Sequence, residues 1–400
     1  MVEQIDGVAI AGAGPVGLVT GLKIARAGIP VTVLDAEPHI IRSPRAVVYH
    51  APTIEELDHL GVLDDLKTVG VVKQDYQFRT IDGEVLAAPH MSVLTAADTA
   101  YPFNLHLAQH DLAEIIMRHL LREPRVQVRW NTRLAAIAQD DDGVSIEADA
   151  PGGRQQLRAS WLVGADGGRS TVRDALGLSF EGYTWPVRLV ATNVYYDFER
   201  YGFARANFVI DPVHWAVIVK INNDGLWRVT YGEDASLPES RYRERVPEHY
   251  AHLLLGGGDY ELEATSPFRV HERCADRFRV GHVLLAGDAA HVCNPMGGLG
   301  LTSGLLDGMS LGDALAAVIL GRADETLLDR YAAERRRVFR EVTGPTAAEN
   351  LRRMSERDPH KKRLDNERFR RLREDPAFQR EALMFTYKLK GQPIGMPANS

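Results

Sequence analysis

Apolar positions near the start of the chain change period twice within a few turns' length. Val8-Ala9-Ile10-Ala11 is a continuous apolar run, Val16, Val19 and Leu22 recur at helical spacing, and Val31-Thr32-Val33-Leu34 is a second run that ends at Asp35. Short continuous runs suit strands buried on both faces, and the intervening period suits a helix that Gly28 ends. The predicted order is strand, glycine turn, helix, strand. Later runs repeat the theme: Trp161-Leu162-Val163 leads into Gly164, Asp166, Gly167 and Gly168, and Val283-Leu284-Leu285-Ala286 leads into Gly287 and Asp288. After Gly300 a helix is predicted, with Leu311, Leu315, Val318 and Ile319 on one face. Between these runs the texture changes. Residues 187–198, 206–221 and 226–232 are rich in Val, Ile, Tyr, Trp and Phe with partial alternation, and Asn222-Asn223-Asp224-Gly225 supplies a hairpin turn. The pattern predicts an α/β protein: a Rossmann-like nucleotide-binding domain, an inserted antiparallel sheet to which residues 76–99 add, and a helical C-terminus. The stretch 351–392, highly charged with mixed signs and few apolar residues, reads as a solvated helical tail, with an oligomer contact as the alternative.

Composition narrows the class. With 400 residues, 45% hydrophobic and 25% charged, the chain is an ordinary globular protein large enough for two domains. A net charge of −7, from 47 basic and 54 acidic side chains, gives no support to nucleic-acid binding. Two cysteines, Cys274 and Cys293, cannot build a disulfide framework and suit a reducing compartment. No signal segment opens the chain and no apolar run is long enough to span a bilayer, so a cytoplasmic protein without a membrane partner is expected.

The glycines of the first unit carry chemistry. Gly12, Gly14 and Gly17 give G-x-G-x-x-G between a strand and a helix that Pro15 and Val16 open. Gly12 permits the tight turn, Gly14 admits a pyrophosphate to the backbone, and Gly17 lets helix and strand pack, which leaves phosphate on the positive end of the helix. Asp35, twenty-one positions after Gly14, is placed to accept from an adenosine ribose, with Ala36 beside it and Glu37 as the competing carboxylate. This unit by itself suits FAD or NAD equally.

The ordered triplet "GAGPVGL", "WLVGADGGRSTVR" and "GDAAHVCNPMGGLGLTSG" resembles the single-component FAD-dependent aromatic hydroxylases, the p-hydroxybenzoate hydroxylase-like flavoproteins, over residues 8–340. "SPRAVVYHAPTIEELDHLGVLDDL" and "LAQHDLAEIIMRHLL" extend the likeness. The resemblance implies FAD as cofactor, NADPH or NADH as transient co-substrate, dioxygen, and a small aromatic substrate. Carried over by position, Gly12, Gly14, Gly17 and Asp35 hold the ADP half, and Arg45 and Gln109 touch FAD. Asp166 and Gly167 belong to a motif associated with FAD and NAD(P)H, and Asp288, after Gly287, meets the ribityl chain. Pro295 lies beside the isoalloxazine, while Gly298, Gly300, Leu301 and Thr302 bring the backbone to its pyrimidine edge. Where many relatives have Met-Asn or Leu-Asn, this chain has Leu301-Thr302, so a side-chain amide contact is absent. The implied reaction is hydroxylation of a phenol or hydroxylated N-heteroaromatic through a C4a-hydroperoxyflavin. A flavin reductase that never oxygenates, and a redox-sensing flavoprotein, are the alternatives.

On this reading residues 1–75, 100–180 and 268–345 form the FAD-binding domain, 76–99 and 181–267 the substrate-binding sheet, and 346–400 the charged helical segment. Tyr195, His214, Trp215, Arg228 and Tyr231 are the polar or aromatic candidates on that sheet: Arg228 suits an acidic substrate, and Tyr231 or His214 a neutral phenol. Arg42 and Arg45 are candidates for a 2′-phosphate. His291 and Cys293 read as structural, and no hydrolase elbow accompanies Asp288, His291 and Ser303. No metal site is expected, and the oligomer is a monomer or homodimer.

Overall fold

The runs Val8–Ala11 and Val31–Leu34 are buried throughout and lie parallel to each other, because neither has a polar face to turn to water. Val126–Arg129 extends them on one side, and Trp161–Gly164, Val283–Leu285 and Arg279–Val280 on the other, giving a six-stranded sheet in which only the last pairing is antiparallel. This computed structural model describes residues 2–44 and 46–395. The helix Pro15–Arg26 packs between this sheet and the long helix Leu299–Ile319. Their approach depends on Gly308 and Gly312, where an added Cβ would stand 2.7 Å from Thr20 Oγ1 and 2.6 Å from Lys23 Cβ.

The second layer is an eight-stranded sheet ordered His291–Val292, Glu261–Ala275, Phe180–Tyr195, Leu226–Asp234, Ala216–Lys220, Ala206–Ile210, Gln77–Thr80, Val85–Ala87. All its pairings are antiparallel except that of Ala206–Ile210 with Gln77–Thr80. Residues 76–99 thus contribute strands to it. Along Leu226–Asp234 the side chains alternate: Trp227, Val229 and Tyr231 pack under the helix Tyr242–Leu253, while Arg228 and Thr230 face the interior of the molecule.

Three features depart from the sequence expectation. The segment 206–221 is two strands, because Asp211 accepts backbone hydrogens from Val213 and His214 at 2.8 and 2.7 Å and closes a turn between them. Residues 133–159 form a separate antiparallel meander, and Val48–Tyr49, Asn104–His106 and Val71–Lys73 form a small three-stranded sheet. The charged C-terminus is no solvated tail. Its helices Pro359–Glu374 and Pro376–Met384 fold back, burying Phe369, Leu372 and Leu383, and Phe369 meets Phe78 at 5.0 Å between ring centres. Among the described residues no helix is long and apolar enough to cross a membrane.

Candidate active site

The first glycine turn is tight where it must be and open where a ligand must enter. Gly12 has φ +107°, and a Cβ there would lie 2.3 Å from the Ala165 carbonyl oxygen; one on Gly17 would lie 2.0 Å from that of Gly12. Gly14 is different: among the described residues nothing beyond its own chain neighbours lies within 4 Å of its would-be Cβ, and it borders two cavities. The smaller, about 370 Å³, is walled by Gly12, Pro15, Asp35, Ala36, Gln109 and Asp166. Asp35 accepts from the Ala13 and Glu37 amides at 2.5 and 2.8 Å, so its carboxylate is fixed at the end of its strand. The helix beginning at Pro15 presents its N-terminus there. These features fit the ADP half of FAD. Asp166 accepts from the Val172 amide at 3.1 Å in the first turn of the short helix Thr171–Ala175, which Ser170 caps by accepting from the Arg173 amide.

The larger cavity, about 1120 Å³, continues from Gly14 past Val16, Asp288, Pro295 and Gly297 to Leu301. Asp288 is exposed on its wall. Gly298, at φ +69°, caps the helix Leu299–Ile319, whose N-terminal amides open on the cavity and suit the electron-rich edge of a reduced flavin. Two residues implied by the resemblance play other parts. Thr302 is buried, and its hydroxyl donates to the Gly298 carbonyl at 3.1 Å, so it steadies the helix rather than lining the cavity. Gly287, at φ +61°, lies against Val16 and shapes the turn before Asp288. Beneath that turn Asp307 accepts from the Gly287 amide at 3.1 Å, from His291 Nε2 at 2.6 Å and from Arg335 Nε at 2.6 Å. Arg335 also donates to the Leu389 and Lys390 carbonyls at 2.8 and 3.0 Å, tying the C-terminus to the flavin turn. His291 is therefore structural.

Beyond the flavin motifs the cavity reaches the interior face of the large sheet. Arg228 lines it, held by Asn193 Oδ1 at 2.6 Å, with Asn193 donating to Glu263 at 2.7 Å; burial pulls the Arg228 guanidinium down to about 10. Tyr231 and His214 do not reach it, which corrects the expectation for both. Tyr231 shares the α-helical side of its strand with Trp227, stacked on His249 at 4.1 Å, and His214 sits in the Asp211 turn stacked on His252 at 3.9 Å. Trp215 packs over Gly232, and Tyr195 lies at the exposed end of its strand. Arg42 pairs with Glu114 at 2.6 Å. Arg45 lies outside the described residues.

The wall also contains groups that the sequence reading did not single out. Lys73, Asn104 and His106 come from the three-stranded sheet, and His50 follows directly after it. Lys73 is 3% exposed, and burial pushes its ammonium down to about 7 against the opposing charge of Asp75. His50 hydrogen-bonds the Gly297 carbonyl at 2.7 Å, and burial brings its imidazole down to about 4. Tyr76, Phe78, Phe208 and Phe369 supply an aromatic side, Phe78 and Phe208 stacked at 5.0 Å. Arg368, Leu383 and Phe385 of the C-terminal segment close it. No sequence signal marked these residues: Lys73, Asn104 and His106 stand in strands of three residues, too short to show a period.

A family model described as FAD binding domain matches residues 6–346. The chain belongs to the FAD-dependent aromatic hydroxylases. It is 49% identical over 395 residues to the para-nitrophenol 4-monooxygenase of Pseudomonas sp. strain WBC-3, covering 98% of each chain. It is 40% identical over 382 residues to the 6-hydroxy-3-succinoylpyridine 3-monooxygenase HspB of Pseudomonas putida, covering 94% of this chain and 96% of that one. The crystal structure of p-nitrophenol 4-monooxygenase PnpA from Pseudomonas putida DLL-E4 superposes with a TM-score of 0.95 at 48% identity, covering 98% of this chain and 100% of that one. The protein is thus an FAD-dependent monooxygenase of the p-hydroxybenzoate hydroxylase-like fold that acts on an aromatic compound with NAD(P)H and dioxygen.

Proposed function

We propose that the substrate is a small phenol of the nitrophenol kind, with hydroxylated pyridines as the neighbouring class. The observation that carries this is one continuous cavity, which begins at Gly14 and Asp288 and ends among Tyr76, Phe78, Phe208, Lys73, His106 and Arg228. The aromatic side chains offer a ring-shaped apolar slot, and the cationic and imidazole groups offer partners to a hydroxyl and to an electron-withdrawing substituent. The relatives named for para-nitrophenol and for a hydroxypyridine support the same choice.

FAD, when bound, supplies the redox chemistry that takes electrons from NAD(P)H and activates dioxygen. The chain does the rest. Gly12, Gly14 and Asp35 would hold the dinucleotide end and Asp288 and the amides after Gly298 the flavin end, and Pro295 lines the same cavity. The C-terminal helices and the sheet exclude water from the reacting atoms, and Arg228 orients the substrate through a charge-assisted hydrogen bond. The free thiols Cys274 and Cys293 support a cytoplasmic setting.

The test is flavin bleaching by NADH or NADPH without oxygen, with and without a panel of phenols and hydroxypyridines. Acceleration of at least tenfold by p-nitrophenol or a close analogue is expected. Equally fast bleaching without any aromatic compound contradicts substrate-gated reduction and favours a reductase.

A further inference from the structure

We propose that His106 is the base that takes the hydroxyl proton of the phenolic substrate, and that the Lys73 ammonium holds the phenolate so formed. The proposal rests on the phenol reading above and assigns its proton chemistry to named atoms. His106 Nδ1 lies 3.0 Å from the carbonyl oxygen of Lys220, an atom that can only accept, so the ring hydrogen is on Nδ1. Nε2 therefore carries the lone pair. That atom is buried and has no hydrogen-bonding partner among the described residues, and His106 forms part of the cavity wall. A buried acceptor without a partner beside an aromatic slot is matched by a hydroxyl donor from the ligand.

Three groups that could compete for this role do not fill it. His50 spends its Nε2 on the Gly297 carbonyl, Arg228 is a donor only, and Tyr231 faces the other side of the sheet. Lys73 stands on the neighbouring strand, with Cα opposite Asn104, while Val71 is opposite His106. Lys73 and His106 are thus diagonal neighbours on one face, roughly 7–8 Å apart at the backbone. The ammonium donates to the Asp75 carbonyl at 2.9 Å and lies 4.8 Å from the Tyr76 ring centre. Burial first, then the charge of Lys73, pulls His106 down and keeps it neutral before substrate arrives; burial also pulls Lys73 down to about 7, with the charge of Asp75 opposing that pull. The empty-handed base and the cation are complementary to the two halves of one O–H group.

The transfer balances. The phenolic O–H bond breaks, an Nε2–H bond forms, the electron pair stays on the oxygen, and nothing is oxidised or reduced. The resulting phenolate lies between two cations and makes the ring more electron-rich for attack.

The test uses the oxidised holoenzyme with p-nitrophenol and no NAD(P)H, reading the yellow phenolate band against pH. Wild-type protein is expected to ionise the bound ligand at least about one pH unit below the free phenol. His106→Asn keeps a side-chain donor for the Lys220 carbonyl and removes the base; His106→Gln places an amide near Nε2. With FAD content unchanged, both are expected to raise the midpoint of the bound ligand by about one unit or more, and to move the acidic limb of kcat upward in step. If both variants lose FAD, Lys73→Met in the same titration decides, with a raised midpoint expected. Variants that carry full FAD and ionise the ligand as wild type does overturn the assignment alone. A wild-type protein that binds no phenol overturns the substrate reading and the assignment with it.

Discussion

Two buried polar clusters lie on either side of the flavin-binding motifs, and they differ in one respect. Around Asp307 every charge has its partner: the Gly287 amide, His291 and Arg335 converge on one carboxylate, and Arg335 finds further acceptors at Leu389 and Lys390. Around His106 the set is incomplete among the described residues, since Nε2 has no partner and the Lys73 ammonium donates to a backbone carbonyl and faces a ring, with no carboxylate bonded to it. Both clusters are withdrawn from water, so their desolvation costs are similar in kind. A complete network holds a scaffold, whereas one lacking partners awaits a ligand. The first fixes the turn that presents Asp288 and ties the C-terminal helices down; the second addresses the substrate.

The largest effect should come from breaking the complete cluster. Asp307→Ala leaves Arg335 buried and uncompensated, and a loss of about 3–5 kcal/mol is expected in equilibrium unfolding. Burial raises the Asp307 carboxyl, but the His291 and Arg335 charges overcome that and hold it below its ordinary value. Its contribution is therefore present above about pH 4 and lost as pH falls through the depressed value. Melting curves from about pH 5 downward should show a steep decline in wild type that is shallower in Asp307→Asn.

Next in size is the cofactor. Gly14→Val fills the opening beside the pyrophosphate site and Asp288→Ala removes a carboxylate from the cavity wall. Both should purify folded by circular dichroism yet with little or no flavin absorbance. A yellow Gly14→Val protein would break the nucleotide-turn assignment.

On the incomplete side, Arg228→Met should raise KM for a nitrophenol about tenfold or more, the worth of a hydrogen bond to a charged group, while FAD content stays constant. An unchanged KM would move substrate orientation to another residue. Smallest of all are Tyr231→Phe and His214→Ala. Tyr231 has a buried hydroxyl without a partner among the described residues and His214 lies in a turn on the far face, so kcat/KM should stay within about twofold.

The same contrast explains what could be read from the chain. The nucleotide half declared itself because its demands are local: a glycine where a Cβ would strike the Ala165 carbonyl, an aspartate at the end of the next strand, buried runs without a polar face. The substrate half depends on which side of a strand turns inward. Trp227, Arg228, Val229, Thr230 and Tyr231 alternate, but alternation alone does not say whether the odd or the even set meets the cavity, and the aromatic set went to the helix side. Lys73 and His106 stand in three-residue strands, too short to show a period. The C-terminal segment misled for another reason. Its few apolar residues, among them Phe369, Leu372, Leu383 and Leu389, are diluted by charge, and their burial depends on Phe78 and Arg335 from distant parts of the chain.

The most direct test of the hydroxylase chemistry in this cavity is turnover of p-nitrophenol, or of the aromatic compound that bleaches the flavin fastest, under isotopically labelled dioxygen, with the product mass read alongside NAD(P)H consumption. Incorporation of a labelled oxygen atom into the ring, in step with NAD(P)H used, is the expected result. NAD(P)H consumption with a product that carries no labelled oxygen would contradict it.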